Sequence, residues 1–203
     1  PLAWNDVSEE EAVELVRQGK SIAIFGIAGT GKTTLIRDRM VPMLREQGKR
    51  VDPIASTHNA AMLAGGDTAM HFAYKHIREG GTATDVLWVD EISMLQIGLL
   101  HDLNHLTQRD PPVAFILSGD FNQYTPICDT YLGEPVKKSF EDCELLHAMA
   151  GGNRLCLTEY RRGDDPYLFE WYASLVQNGA RHATPLQSCL LYTSDAADDW
   201  FCV

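Results

Sequence analysis

The chain has 203 residues, a size that fits one domain of ordinary length or two small ones. With 45% hydrophobic and 22% charged residues, its composition lies near the average for globular proteins and excludes bulk disorder and collagen-like chains. The formal net charge of −11 repels polyanions, so any contact with nucleic acid has to be local or supplied by parts outside this chain.

The apolar runs of the sequence are too short to cross a bilayer. Residues 21–28 and 113–117 are the longest, well below the roughly 20 apolar residues that a membrane-spanning helix needs. No basic and apolar leader opens the chain, so we expect neither a membrane span nor secretion. The five cysteines form no C-x-x-C pair and are odd in number, which suits reduced thiols. We therefore expect an intracellular protein of the cytoplasm, the nucleus or a viral replication site.

The predicted elements alternate between strand and helix along the chain. A helix is predicted after Ser8, because Ser8 and Glu11 have the spacing of a capping box, and Gly19 ends it. Strands are predicted at residues 21–25, 51–56, 85–90, 113–118 and 155–158, and helices at 34–40, 97–107 and 166–177. Because these strands are apolar almost throughout, we predict an α/β fold with a parallel sheet covered by helices on both faces.

A glycine-rich segment joins the strand at 21–25 to the helix that follows. It reads G-I-A-G-T-G-K-T-T and matches G-x-x-x-x-G-K-[ST] at every defined position. Glycines let backbone N–H groups close around phosphate oxygens, Lys32 reaches the β and γ phosphates, and the Thr33 hydroxyl binds Mg²⁺. The segment predicts a site for a nucleoside triphosphate, with contacts from Gly26, Ile27, Ala28, Gly29, Thr30, Gly31, Lys32, Thr33 and Thr34.

Polar residues lie at or just after the ends of two further predicted strands, 85–90 and 113–118. Asp90 ends the strand at 85–90, and it is predicted to hold Mg²⁺ through water, while Glu91 polarises the attacking water. A general-base role of this kind is worth roughly 10²–10⁴ in rate. After the strand at 113–118, Gln123 is expected at the same edge of the sheet, where its amide can sense a γ phosphate.

In order and spacing, these segments resemble the first RecA-like domain of superfamily 1 helicases, closest to the RecD and Pif-type branch. The motifs over about residues 5–180 are G-x-x-G-x-G-K-T-T, I-A-S-T-H-N-A-A, V-D-E-I-S-M, G-D-F-N-Q-x-x-P-I and L-T-E-Y-R-R. The resemblance implies a RecA-like P-loop NTPase that uses ATP and Mg²⁺. In the family, a glutamine links the γ phosphate to bound DNA and an arginine contacts that phosphate. Those roles fall on Gln123 and Arg161, with Arg162 as the alternative if the register slips by one.

The same resemblance implies a surface for single-stranded nucleic acid. The residues concerned are Ser56, Thr57, His58 and Asn59 in one motif, and His71 and Phe72 in a second. Hydroxyl and amide groups suit phosphate and sugar contacts, and rings offer faces on which bases stack, at roughly 1–3 kcal/mol per base. Phe72 could instead be an ordinary core residue.

The sequence departs from the family in two respects. The region that in the family carries an adenine-reading glutamine is here Glu9, Glu10 and Glu11, and a carboxylate cannot donate a hydrogen bond to adenine. The second RecA-like domain, which in the family brings an arginine finger, is expected to be missing. We predict an ATP-binding domain at residues 1–180, the start of the missing remainder at 181–188, and an adapter-like read-through tail at 189–203.

The sequence thus favours the ATP-binding and ATP-hydrolysing motor domain of a DNA helicase, 5′ to 3′ by analogy with its branch. The expected partners are single-stranded DNA and the missing second RecA-like domain, with no membrane. A viral-type superfamily 1 RNA helicase is the first alternative, because it shares the phosphate loop and the G-D-x-x-Q pattern. A P-loop phosphotransferase is a weaker one, since no glycine-rich or arginine-rich lid segment follows Asp90.

Overall fold

A computed structural model describes residues 2–78, 81–122, 129–131, 134–135 and 143–161. The chain divides after Arg161 into two units, and all of the described residues lie in the first, Pro1–Arg161. Some predictions therefore lie outside the described residues: those for Gln123, Arg162, the helix at 166–177, the domain boundary near 180 and the tail at 189–203.

Strands and helices alternate along the chain. The strands are β1 (Asn5–Asp6), β2 (Ile22–Gly26), β3 (Val51–Ala55), β4 (Asp67–Thr68), β5 (Val86–Asp90), β6 (Ala114–Gly119), β7 (Thr130–Tyr131), β8 (Glu134–Pro135) and β9 (Asn153–Leu157). The α-helices are α1 (Glu9–Arg17), α2 (Lys32–Leu35), α3 (Val41–Glu46), α4 (His58–Ala64), α5 (Ala69–Ala73), α6 (Ile97–Asn104) and α7 (Glu144–Met149). π-Helical turns follow α2 and α5, at Ile36–Met40 and Tyr74–Arg78, and 3₁₀ turns lie at Ile92–Met94 and His105–Gln108.

The main sheet is seven-stranded, in the order β1-β9-β2-β6-β5-β3-β4, and β7 and β8 form a separate two-stranded sheet. Every pairing in the main sheet is parallel. In such a sheet, the segments that follow the strands emerge at one edge, where ligands of α/β proteins bind. The carboxyl ends of β2, β6, β5 and β3 lie side by side at that edge.

Each face of the sheet supports a hydrophobic core, because successive strand residues point to opposite faces. On one face Phe25, Leu87 and Phe115 pack with α5, α6 and α7. On the other, Ile24 and Trp88 pack with α1 and with the helical segment from α2 to α3. Fully burying a large apolar side chain stabilises a fold by roughly 1.5–3 kcal/mol. This arrangement confirms the predicted α/β fold with helices on both faces.

The helical segment after the glycine loop differs from its prediction. It begins at Lys32, directly after Gly31, and it contains a π-helical turn before α3. The short helices α4, α5 and α7 were not predicted individually, because elements of five to seven residues show too few turns of a 3.6-residue repeat. Among the described residues, no helix has the length and apolar character required to traverse a bilayer.

Candidate functional site

The glycine-rich loop between β2 and α2 turns tightly at the carboxyl edge of the sheet. Gly29 and Gly31 have φ angles of 84° and 87°, a left-handed backbone that glycine adopts without strain. The buried Thr30 hydroxyl donates a hydrogen bond to the carbonyl oxygen of Ile27 at 2.9 Å. A Cβ on Gly26 would lie 2.5 Å from the backbone oxygen of Leu157, so β9 packs directly against the loop.

Lys32 directs its ammonium group into this loop. Its Nζ donates hydrogen bonds to the carbonyl oxygens of Gly26 at 2.6 Å and Ile27 at 3.0 Å. Burial lowers the pKa of Lys32. Three carboxylates oppose that shift electrostatically, namely Asp120, Asp90 and Glu91. A cation therefore lies where a phosphate group would enter the loop, close to acidic side chains from the neighbouring strands.

Asp90 is fixed at the end of β5 by donors from two other segments. The Thr33 hydroxyl lies 3.2 Å from Asp90 Oδ2, and the Ser118 hydroxyl on β6 lies 2.7 Å from Asp90 Oδ1. Trp88 Nε1 donates to Ser118 Oγ at 2.9 Å. Because Asp90 is only 6% exposed, this network holds its carboxylate in one orientation. A hydroxyl and a carboxylate side by side are the oxygen ligands that Mg²⁺ prefers, so the donor set fits this ion.

Glu91 has a left-handed backbone, with φ 52° and ψ 42°. Among the described residues it is the one non-glycine residue with a positive φ. Such a conformation costs roughly 1–3 kcal/mol and is concentrated at functional sites. Its carboxylate oxygen Oε2 accepts hydrogen bonds from the hydroxyls of Ser56 and Thr57, both at 3.3 Å. Two hydroxyls at the end of β3 thus orient this strained residue beside Asp90.

Arg161 approaches the loop from the segment after β9. Its backbone N–H donates to the carbonyl oxygen of Gly29 at 2.8 Å. Its Cδ lies 3.3 Å from the position that a Cβ on Gly31 would occupy. The guanidinium group donates to Glu9 Oε2 at 2.8 Å, and this hydrogen bond raises the pKa of Arg161 further above its usual value. The side chain therefore lies along the phosphate loop with its charged end on helix α1.

The structure brings together five of the side chains that the sequence selects: Lys32, Thr33, Asp90, Glu91 and Arg161. They come from three different strand ends and meet around one loop. Arg161 lies beside the loop, and Arg162, the alternative for the phosphate contact, lies outside the described residues.

The residues predicted to contact nucleic acid differ in exposure and in the hydrogen bonds that their side chains make. Ser56 and Thr57 use their hydroxyls to bind Glu91, and Thr57 also caps α4 by accepting the N–H of Ala60. His58 and Asn59, in the first turn of α4, are exposed. His71 is exposed as well, with Nδ1 2.6 Å from a carboxylate oxygen of Asp67.

Phe72 requires a correction, because the prediction that its ring is available for base stacking is wrong. The residue is 4% exposed and belongs to the core between α5 and the sheet. Its ring centroid lies 4.7 Å from that of His76. A ring enclosed by core residues has no face to offer to a base, so packing of α5 on the sheet overrides the motif-based expectation.

Sequence reasoning missed two contributors to the site and misjudged a third. The two missed contributors are Ser118 and Trp88, which form the hydrogen-bond network that holds Asp90. A signal for Ser118 is present in the sequence, because it is a polar residue within an otherwise apolar strand. The sequence relates Glu9 only to the base of a nucleotide, whereas in the structure its carboxylate binds Arg161. That contact joins residues 152 positions apart, so no local pattern predicts it.

Comparison with known proteins places the chain in a family. A family described as AAA domain matches residues 7–172, most of the chain. The ATP-dependent DNA helicase PIF5 of Trypanosoma brucei brucei is 29% identical over 170 residues, which cover 71% of this chain and 18% of that helicase. The crystal structure of Pif1 helicase from Candida albicans is 26% identical with a TM-score of 0.64, covering 84% of this chain and 44% of that one.

A crystal structure of Bacteroides Pif1 bound to ssDNA has a TM-score of 0.68 at 22% identity, covering 90% of this chain and 48% of that one. The chain thus spans less than half the length of each of these three proteins. The comparisons confirm the predicted resemblance to the first RecA-like domain of Pif-type helicases and the P-loop NTPase fold. The chain belongs to the AAA domain family.

Proposed function

We propose that the chain is the ATP-binding and ATP-hydrolysing part of a DNA helicase whose second RecA-like domain lies outside this sequence. The observation that carries the proposal is the convergence of Lys32, Thr33, Asp90 and Glu91 on one glycine-rich loop at the carboxyl edge of the sheet. The cited relative from Trypanosoma brucei brucei is named an ATP-dependent DNA helicase, and this name favours a DNA helicase over an RNA helicase or a phosphotransferase.

The loop from Gly26 to Thr34 would bind the phosphates of ATP. Backbone N–H groups of a glycine-rich loop surround phosphate oxygens, and the start of the following helix adds positive potential. Lys32 already points into the loop, where it binds the carbonyl oxygens of Gly26 and Ile27. Phosphate oxygens would replace these carbonyls as acceptors, which forms a stronger, charge-assisted hydrogen bond. Gln123 is assigned its phosphate contact by the family resemblance alone.

Thr33 and Asp90 would hold Mg²⁺, the hydroxyl directly and the carboxylate through water. Their oxygens lie 3.2 Å apart, and Ser118 keeps the carboxylate aimed at the hydroxyl. When bound, Mg²⁺ neutralises charge on the β and γ phosphates.

Glu91 would act as the general base. A carboxylate beside the γ phosphate can accept the proton of the attacking water and so increase its nucleophilicity. Hydrogen bonds from Ser56 and Thr57 restrict the carboxylate to one orientation, and pre-organisation of this kind favours proton transfer. The left-handed backbone at Glu91 turns the side chain out of the strand direction and towards these hydroxyls.

The exposed side chains of His58, Asn59 and His71 would contact single-stranded DNA. They lie in α4 and α5, the helices that follow β3 and β4 at the carboxyl edge. Ser56 and Thr57 lie at the end of β3, between this surface and Glu91. Thr57, which precedes His58 in the chain, thus connects this segment to the proposed general base. Polarity of movement and intracellular location stay predictions.

The test of ATP binding compares wild type with Lys32→Ala, and with Lys20→Ala as the control for loss of an exposed lysine. Binding of a fluorescent ATP analogue and release of phosphate are measured in Mg²⁺. We expect Lys32→Ala to weaken binding at least tenfold, about 1.4 kcal/mol, and Lys20→Ala to bind as wild type does. Equal binding by all three proteins would refute the proposal.

The choice of nucleic acid is tested on the same proteins. Phosphate release is measured with single-stranded DNA, with single-stranded RNA of the same sequence, and with small phosphate acceptors. Stimulation by DNA alone supports the helicase reading, and stimulation by RNA alone would replace DNA as the substrate. Transfer of phosphate to a small acceptor, independent of nucleic acid, would support a phosphotransferase.

A further inference from the structure

Both cationic side chains at the glycine loop are bound by the protein itself. Lys32 donates to two carbonyl oxygens of the loop, and Arg161 donates to Glu9. A phosphate group entering the loop would have to draw these cations from their present partners. For Lys32 the partners lie within the loop, whereas for Arg161 the partner lies on a separate helix.

Glu9 is positioned to hold two arginines at once. Its Oε2 accepts from Arg161 Nη2 at 2.8 Å and its Oε1 accepts from Arg39 Nη1 at 2.8 Å. Arg39 lies in the π-helical turn after the loop, and it also binds the carboxylate of Glu10. Loss of Arg161 would therefore leave Glu9 with a cationic partner, so release of Arg161 does not strand an uncompensated charge.

Arg161 is anchored close to the loop by its backbone and its stem. The backbone N–H binds the carbonyl oxygen of Gly29 at 2.8 Å, and Cδ lies 3.3 Å from the position of a Cβ on Gly31. With the backbone and Cδ this close to the loop, rotation about the outer side-chain bonds would carry the guanidinium group from Glu9 towards the loop. A side chain at Gly31 would obstruct this path, and glycine keeps it open.

Arg161 would bind a terminal phosphate more strongly than it binds Glu9. The pair of Glu9 and Arg161 is partly exposed, with 22% and 44% of the two side chains accessible. Ion pairs of such exposure typically alter an equilibrium constant by about fivefold or less. A terminal phosphate carries more charge than a carboxylate and binds guanidinium through two parallel hydrogen bonds. Transfer of Arg161 from Glu9 to the terminal phosphate would thus be favourable. The contact with Glu9 has to be broken first, which reduces the contribution of Arg161 to triphosphate affinity.

We propose that Glu9 is a positioning residue that retains Arg161 while the loop is empty and competes with the γ phosphate for it. The inference rests on the proposed function, since it requires that the loop binds a nucleoside triphosphate and that Arg161 makes the γ-phosphate contact that the family resemblance assigns to it. Its consequence is that Glu9 weakens triphosphate binding relative to diphosphate binding. Glu9 thereby makes release of Arg161 from α1 dependent on the third phosphate.

The experiment compares Glu9→Gln with Glu10→Gln in the complete chain. Glu10 is a matched control, because it binds Arg39 and not Arg161. Dissociation constants are measured for a nonhydrolysable ATP analogue and for ADP in Mg²⁺. The ratio of the two constants is the readout, since contacts with the base are common to both ligands. We expect the preference for triphosphate to rise about twofold to fivefold in Glu9→Gln and to stay at the wild-type value in Glu10→Gln.

Arg161→Ala separates an exchange of partners from a structural effect. In the Arg161→Ala background, Glu9→Gln should leave the triphosphate preference unchanged, because the competing side chain has gone. A wild-type ratio in folded Glu9→Gln, or a change that persists in the double variant, would overturn the inference. Those outcomes are distinct from failure of the proposed function, in which wild type binds neither nucleotide or Lys32→Ala binds as tightly as wild type.

Discussion

The hydroxyl of Thr33 lies 3.2 Å from a carboxylate oxygen of Asp90, across a separation of 57 residues in the chain. The two residues belong to segments that follow β2 and end β5, and these strands are not neighbours, because β6 lies between them. Ser118 lies on this intervening strand, and its hydroxyl donates a hydrogen bond to the other carboxylate oxygen of Asp90 at 2.7 Å. Three adjacent strands therefore cooperate to form one pair of oxygen ligands.

Asp90→Asn should weaken the magnesium dependence of nucleotide binding. The amide has the shape of the carboxylate but no charge, so it attracts Mg²⁺ far less. We expect the increase in ATP affinity on adding Mg²⁺ to fall at least tenfold, about 1.4 kcal/mol. Titrations in Mg²⁺ and in chelator measure this, with the exposed Asp38→Asn as control. A normal magnesium effect in Asp90→Asn would contradict the assignment of this residue.

Glu91→Gln should separate binding from turnover. The amide keeps the size of the side chain but accepts no proton from water, so the general-base contribution is lost. We expect ATP affinity near that of wild type and a rate of hydrolysis reduced by roughly 10²–10⁴. Single-turnover phosphate release together with equilibrium binding checks both parts. Hydrolysis at the wild-type rate would exclude Glu91 as the base.

Gly26→Ala and Gly98→Ala should alter stability in opposite directions. A Cβ on Gly26 would lie 2.5 Å from the backbone oxygen of Leu157 and 2.7 Å from Thr30 Oγ1, so the loop or β9 must shift. Overpacking of this kind costs about 1–3 kcal/mol. Around Gly98, in α6, no atom lies within 4 Å of such a Cβ, and alanine there should stabilise by about 0.5–1 kcal/mol. Urea denaturation measures both values, and equal stabilities would contradict the packing described for β9.

The sequence predicts the loop and its carboxylates well because both obey local rules. The pattern G-x-x-x-x-G-K-[ST] between a strand and a helix is typical of a triphosphate-binding loop, and in a parallel sheet the carboxyl ends of the strands lie at one edge whatever the intervening sequence. Motif and strand boundaries alone therefore predict that Lys32, Thr33, Asp90 and Glu91 lie at one edge of the sheet, as they do in the structure. Arg161 came from the family resemblance.

Features that depend on packing between distant elements could not be predicted in this way. The orientation of Glu91 towards Ser56 and Thr57 requires the left-handed backbone at Glu91, for which a glutamate in the sequence is no signal. The burial of Phe72 depends on which side of α5 faces the sheet, and a helix of five residues has too short a pattern to define that side. Glu9 lies after β1 and Arg161 after β9, so their contact depends on the pairing of two strands that are far apart in the chain.

The capping box at the start of α1 should make stability dependent on pH through Glu11. The backbone N–H and the hydroxyl of Ser8 both donate to Glu11 Oε2 at 2.8 Å, and these bonds, the backbone one foremost, hold the pKa of Glu11 below its usual value of 4.5. Because the folded-state pKa is the lower one, the ionised carboxylate stabilises the fold fully above about pH 4.5. That contribution is lost as the pH falls through the folded-state value.

Glu11→Gln tests this dependence, because glutamine can accept the same hydrogen bonds without titrating. Thermal denaturation of both proteins is measured at pH 6 and at pH 3. We expect the melting temperature of wild type to exceed that of Glu11→Gln at pH 6, and the difference to shrink at pH 3, where Glu11 approaches its neutral form. Other carboxylates titrate equally in both proteins, so their effects cancel in the difference. A difference that is the same at both pH values would mean that the charge of Glu11 contributes nothing to the cap.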